Sequence, residues 1–417
     1  MIKRYLFDDV KDHLNAKEIS IITGPRQVGK TTLMTKLFNL LKNNGEKVLF
    51  LNLDYEADKR FFETQDLLLN KIELEIGSIG YVFIDEIQRK ENAGLFLKGI
   101  YDLSLPYKFI VSGSGSLELK EKIHESLTGR KRMFELLPVS FKEFVNYKTE
   151  YKYEDKLDDF FKLEDKKSEI FLNEYLSFGG YPRIVTENRI EEKTKIIDEI
   201  YRSYVDKDIV NLLNIDRPDA FSLLIRILSS QTGKLINYSQ LALNIGISTA
   251  TLKKYLYFAE KTFIIQTINP YFGNSLKELT KSKTIYFYDH GIRNFSNNSF
   301  TLLQNQNELG FLFQNLIKNI LEEHSRWKNW GLNFWRTTDK AEVDFVINNA
   351  NEVIPIEVKF SALNAPTVKR SLRSFIDKYS PKKAYVINKN YSNRLIINKT
   401  EVVFTSFYKL VTKNVFE

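Results

Sequence analysis

The chain has 417 residues, 43% apolar and 27% charged, with 18 Gly and 9 Pro; this globular usage excludes collagen-like, coiled-coil and disordered classes. At about 100–200 residues per domain the length implies two to four domains, and the absence of cysteine excludes a disulfide framework, a zinc knuckle and a thiol nucleophile. The net charge is +8, and Ser361 to Thr400 alone holds nine basic residues against Asp377, either a solubilising surface or the footprint of a polyanion binder, DNA above all.

No apolar run approaches the ~20 residues of a membrane span. The N-terminal stretch MIKRYLFDDVKDHL lacks the apolar centre of a signal peptide, so the expectation is a cytoplasmic protein with no membrane partner. Short apolar strands are expected at Glu18–Thr23 and in KVLFLNLD, IGYVFIDEI and YKFIVSGS, with helical stretches between them. That alternation predicts a parallel sheet covered on both faces over roughly the first 145 residues.

The first strand runs into Gly24-Pro25-Arg26-Gln27-Val28-Gly29-Lys30-Thr31, followed by Thr32 and a helical pattern. This fits G-x-x-x-x-G-K-[ST] in full, in the strand–turn–helix context that gives the motif its meaning. The glycines let backbone N–H groups close on phosphates at the helix N-terminus. ATP is the expected ligand, with Lys30 on the β/γ-phosphates and Thr31 on Mg²⁺. About fifty residues on, Tyr81-Val82-Phe83-Ile84 runs into Asp85 and Glu86. Asp85 is expected to hold the Mg²⁺ and Glu86 to polarise the attacking water. Ser112, at the end of FIV, is placed to sense the γ-phosphate. Arg130 is either a surface arginine or a finger reaching a neighbouring subunit's site, in which case the active form is an oligomeric ring.

Tyr147–Ile170 is densely charged, either a linker or a solvated helix opening a helical region that runs to about residue 213. NYSQLALNI and STATLKKYLYFAEK, joined at Gly246 and followed by a strand pair in FIIQTINPYF, give the order of a winged helix-turn-helix. Its second helix offers Ser248, Thr249, Thr251, Lys253 and Lys254 but few of the better base readers, so DNA binding without sequence preference is expected; the alternative is a packing module. Further on, Asp344 in EVDFVI and Glu357 and Lys359 in IPIEVKF fall on one face of two strands. Two hard oxygen donors and an ammonium suit a second divalent metal; the alternative is an exposed Glu–Lys pair. Trp335 and Arg336 could line a DNA groove.

The phrases TGPRQVGKTTL, VFIDEIQ, SGSGSL, SLTGR, LLPVSFKEF and SFGGYPR resemble a large family of bacterial and archaeal AAA-class ATPases that carry a C-terminal nuclease-like domain of unknown function. The resemblance implies a hydrolytic ATPase with a helical lid in which Gly180 and Pro182 touch the adenine and Arg183 senses phosphate. The C-terminal order of elements resembles the restriction-endonuclease-like fold with its D…E-x-K signature, in which Gln314 stands where family members usually carry Glu. The expected architecture is therefore α/β: a P-loop core of the AAA type (1–145), a helical lid (146–214), a winged helix-turn-helix (215–275) and a restriction-endonuclease-like domain (276–417).

Overall fold

A computed structural model of the chain describes residues 1–114, 127–204, 216–273, 278, 281–301, 303, 306–349 and 352–416. Parts of SGSGSL, SLTGR and SYVDKDIVNLL lie outside the described residues.

Five parallel strands form the first sheet: β1 (Ile19–Gly24), β2 (Val48–Asn52), β3 (Gly80–Asp85), β4 (Tyr107–Ser114) and β5 (Lys131–Glu135), in the order β2-β3-β4-β1-β5. Helix α1 (Leu6–Asp12) precedes the sheet, and α2 (Lys30–Asn43) follows β1 directly. The four expected strands are present. The fifth, KRMFE, sits at the sheet edge with one buried side chain, Phe134, too little apolar pattern to signal a strand. Because β4 lies between β1 and β3, the C-terminal ends of three strands converge on the loop before α2, where ligands bind in parallel α/β sheets.

Helices α3 (Phe141–Lys148), α4 (Asp165–Phe178) and α5 (Pro182–Thr186) follow, then α6 (Pro218–Ser230), α7 (Tyr238–Ile245) and α8 (Thr249–Lys261). A Ser140/Glu143 capping box starts α3, and Gly246 at φ 74° ends α7 and turns the chain into α8. The outer face of α8 exposes Ser248, Thr249, Lys253, Lys254 and Tyr257.

The second sheet contains eight mixed strands: β6 (Ile265–Pro270), β7 (Thr284–Phe287), β8 (Gly331–Arg336), β9 (Glu342–Asn349), β10 (Glu352–Lys359), β11 (Lys383–Asn388), β12 (Asn393–Ile397) and β13 (Thr400–Ser406). Its order is β12-β13-β11-β10-β9-β8-β6-β7. Helices α9 (His290–Ser296), α10 (Gln306–Ser325), α11 (Arg370–Tyr379) and α12 (Phe407–Thr412) pack around it. FIIQTINPYF is thus one strand and not a pair: β6 takes β7 as its antiparallel partner and runs parallel to β8, so the expected wing is part of the large sheet.

The cores cut across the expected domain boundaries. One apolar cluster joins Leu33 and Leu37 of α2 to Tyr181, Ile184, Leu224 and Leu256. Another joins Phe141, Phe144 and Tyr175 to Phe313, Phe345 and Phe407. The charged run at 147–170 is a helical surface over buried Phe160 and Phe161, not a linker.

Candidate active site

The loop between β1 and α2 gathers polar side chains from three elements. Gly29 caps α2 at φ 95°, a left-handed conformation that a β-carbon would strain. Lys30 is 6% exposed, and its ammonium donates to the Gly24 and Pro25 carbonyls at 3.1 and 2.8 Å. Burial pulls its pKa down to about 8, against the pull of nearby Glu86 and Asp85.

Asp85 is fully buried where β3 ends. The Thr31 hydroxyl donates to its Oδ2 at 2.7 Å; the Ser112 hydroxyl and, at 3.1 Å, the Glu86 N–H donate to its Oδ1. The inserted strand β4 is what delivers Ser112 here. Glu86 takes φ 57°, an uncommon left-handed conformation for a non-glycine residue, of the kind that gathers at functional sites. Its Oε2 accepts from the Gln88 amide. Burial raises the Glu86 pKa, while Lys30 opposes that shift. Thr31, Asp85, Ser112, Glu86 and Lys30 are thus brought to one end of the parallel sheet.

On the other side of the loop, Val28, Gly29, Thr32, Leu33, Pro182 and Arg183 line a cavity of about 210 Å³ together with Ile2 and Phe7. Apolar walls beside a phosphate loop suit a nucleobase. Arg183 lies 3.5 Å from Gln27 Oε1 and pairs with Glu199 at 2.9 Å. Gly180 stays outside the cavity: its N–H donates to Asp289 and its carbonyl accepts from Val139.

Arg130 is not brought to this site. Its carbonyl accepts the Ile19 N–H, which places it at the N-terminal end of β1, on the order of 20 Å from the loop at about 3.3 Å per strand residue. Its guanidinium is held by Asp102 at 2.7 Å.

Sequence reasoning missed Arg4. Its guanidinium donates to the Val28 carbonyl at 2.9 Å and to Glu143 at 3.0 Å, strapping the phosphate loop to the start of α3. Partners 24 and 139 residues away leave no local signal.

In the second sheet, Asp344 and Glu357 do come together. Asp344 accepts from the Gln314 amide at 3.0 Å and from the Val358 N–H at 2.7 Å. Burial raises its pKa to about 7. Glu357 faces two ammonium groups, Lys369 at 3.0 Å and Lys359 at 3.7 Å. Lys359 also donates to the Thr367 carbonyl at 3.0 Å. Glu357 is thus set against two lysine ammonium groups and Asp344 against an amide N–H, so this arrangement supplies only two carboxylates. Among the described residues no group of three His, Asp or Glu side chains is placed to hold a metal ion. The expected second metal has no further support here. Trp335 is 2% exposed in the core, so it lines no groove, and the partly exposed Arg336 pairs with Glu342 at 3.1 Å.

From Lys369 a basic helix begins. In α11, Leu372, Phe375 and Ile376 are buried, while Arg370, Arg373 and Lys378 point outward with Lys369 at the N-cap.

The sheet order and the loop define a P-loop ATPase core, and residues 16–145 match the family model described as an AAA domain. Residues 170–303 and 309–408 match two families described as domains of unknown function, DUF8612 and DUF4143. The chain is similar to an uncharacterised protein of Methanocaldococcus jannaschii, 28% identical over 374 residues, which are 88% of this chain and 80% of the relative. An uncharacterised protein of Haemophilus influenzae is 24% identical over 397 residues, 93% of this chain and 92% of the relative. Among solved structures, the replication initiator DnaA bound to AMPPCP and single-stranded DNA aligns over 63% of this chain and 90% of its own, at 14% identity and a TM-score of 0.33, too distant a likeness to bear on function. No helix among the described residues is long and apolar enough to cross a membrane.

Proposed function

We propose that the protein hydrolyses ATP and couples that cycle to DNA bound without sequence preference. The observation that carries the ATPase reading is the convergence of Lys30, Thr31, Asp85, Ser112 and Glu86 at one sheet end. The Thr31 hydroxyl and Asp85 carboxylate, 2.7 Å apart, are a hard-oxygen pair that fits Mg²⁺, which when bound neutralises phosphate charge. Lys30 turns from the loop carbonyls to the β/γ-phosphates. Glu86 accepts a proton from the attacking water as the γ-phosphoryl group leaves ADP. Residues 146–214 act as the lid over the base, 215–275 as a helix-turn-helix, and 276–417 as a nuclease-like module without cleavage.

Lys30 also sets the pH dependence of binding. Its pKa of about 8 in the free site is raised when phosphates arrive, so ATP binding takes up protons above pH 8. Affinity is expected to fall as pH rises beyond that point, by at most about tenfold per pH unit for one proton. Calorimetric titration from pH 7 to 9.5 checks this, and a pH-independent Kd contradicts it.

The DNA reading rests on the outward basic face of α11 and on the Ser/Thr/Lys face of α8. A second reading, an ATP-driven conformational switch, is supported by the cores shared between the lid and the C-terminal sheet. Turnover with and without DNA separates the two, with Lys30→Ala as the blank. Several-fold stimulation supports coupling, and an unchanged rate leaves the switch. Arg370→Glu with Arg373→Glu is expected to flatten the plot of log Kd against log salt by nearly two units, at about 0.9 per phosphate contact on duplex DNA.

A further inference from the structure

The segment that carries Pro182 and Arg183 to the base-side cavity is gripped from behind by residues with no role in the chemistry above. Asp289, 4% exposed, caps α9 directly after β7. Its Oδ2 accepts the Gly180 N–H at 2.7 Å and its Oδ1 the Ile292 N–H at 2.9 Å. Asn294, fully buried, donates to the Leu176 and Ser177 carbonyls, both at 2.8 Å; a helix end leaves such groups open.

The fit has no slack. Gly179 takes φ 78°, and a β-carbon there would lie 2.5 and 2.6 Å from the Asp289 carboxylate oxygens. A β-carbon on Gly291 would press on the Phe178 carbonyl, and one on Gly180 on the Val139 carbonyl.

Behind this grip, Asn315 of α10 holds the last residue of β7. It accepts the Phe287 N–H at 2.8 Å and donates to the Phe287 carbonyl at 2.9 Å. The preceding helix residue, Gln314, is the one that reaches Asp344. Hydrogen bonds joined by two short stretches of chain, Gln314–Asn315 and Phe287–Asp289, therefore run from the acid–lysine cluster through β7 to the backbone two residues before Pro182.

We propose that Asp289 is a positioning residue that fixes Gly180, and through it Pro182, so that the C-terminal sheet sets the affinity of the cavity for the nucleoside end of ATP. This deepens the nucleotide-binding reading and rests on it. A rigid grip acts only on ligands that use the cavity. Inorganic tripolyphosphate, which has no base, engages the phosphate loop alone.

The test compares calorimetric Kd values of ATP and tripolyphosphate for the full chain as wild type, Asp289→Asn and Asp289→Ala. For Asp289→Ala, ATP is expected to weaken about tenfold, within the usual range for coupled sites, while tripolyphosphate changes less than about twofold. Asp289→Asn keeps one acceptor oxygen and is expected to fall between, with kcat at saturating ATP unchanged, since Glu86, Thr31 and Asp85 are untouched. If Asp289→Ala does not fold, Asp289→Asn carries the test by itself, with an expected loss of at least threefold for ATP alone. Equal weakening of both ligands, or no weakening of ATP, overturns the proposal. Wild type that binds tripolyphosphate but prefers it to ATP also overturns it, whereas wild type that binds neither defeats the nucleotide-binding reading itself.

Discussion

Glu86→Gln is expected to keep ATP binding and to lower the hydrolysis rate by about 10²- to 10⁴-fold, the usual worth of a positioned general base. The substitution preserves size and leaves an amide where Gln88 now meets a carboxylate. Lys30, Thr31 and Asp85, which hold the phosphates and the metal in the proposed function, keep their hydrogen bonds, none of which involves the Glu86 side chain. Burial already raises the Glu86 pKa, which strengthens it as a proton acceptor while Lys30 favours its ionised form. Single-turnover hydrolysis with saturating enzyme, set beside the ATP Kd, separates chemistry from binding. Hydrolysis within tenfold of wild type would show that another group takes the proton. Loss of ATP binding would make Glu86 a structural residue, consistent with its strained backbone but not with a catalytic role.

That site was legible because its chemistry is local. A Gly-rich loop needs its glycines, lysine and hydroxyl within eight residues, and an apolar strand ending in two acids announces its partner. The 54-residue separation between Thr31 and Asp85 posed no obstacle, since each motif declares which end of a strand it occupies. What stayed hidden depended on where strands lie beside one another. Nothing in the local pattern of β4 says that it inserts between β1 and β3, and only that insertion brings Ser112 to Asp85. The same limit explains β6, whose apolar run was read as two wing strands although its partner β7 begins 14 residues beyond its end. Asp344, Glu357 and Lys359 were placed on one face by simple alternation. Lys369, which adds a second ammonium to that cluster, comes from the N-cap of a different element. Asp289 and Arg4 were invisible for the same reason: each is an ordinary charged residue until tertiary packing buries it.

Arg4 supplies the second large expected effect. Its side chain is 12% exposed and that of Glu143 is 7% exposed, so the pair is nearly out of water. Arg4→Met retains most of the side-chain volume but leaves Glu143 buried with only the Tyr5 and Ser140 N–H groups, at 2.8 and 3.0 Å. Breaking one side of a buried ion pair costs about 3–5 kcal/mol, and the two surviving N–H bonds favour the lower end of that range. The paired change Arg4→Met/Glu143→Gln removes the stranded charge while leaving a carbonyl oxygen for the capping box. It is therefore expected to recover most of the loss, as buried pairs replaced on both sides often do. The midpoint of the first urea transition, measured for the wild type, both single variants and the double variant, gives the coupling energy directly. A double variant no more stable than Arg4→Met would mean that Arg4 acts through its bonds to the Val28 and Leu137 carbonyls rather than through Glu143. The ATP Kd then separates the two, because Val28 lies in the phosphate loop and Leu137 does not: a weakened Kd assigns the loss to the Val28 carbonyl.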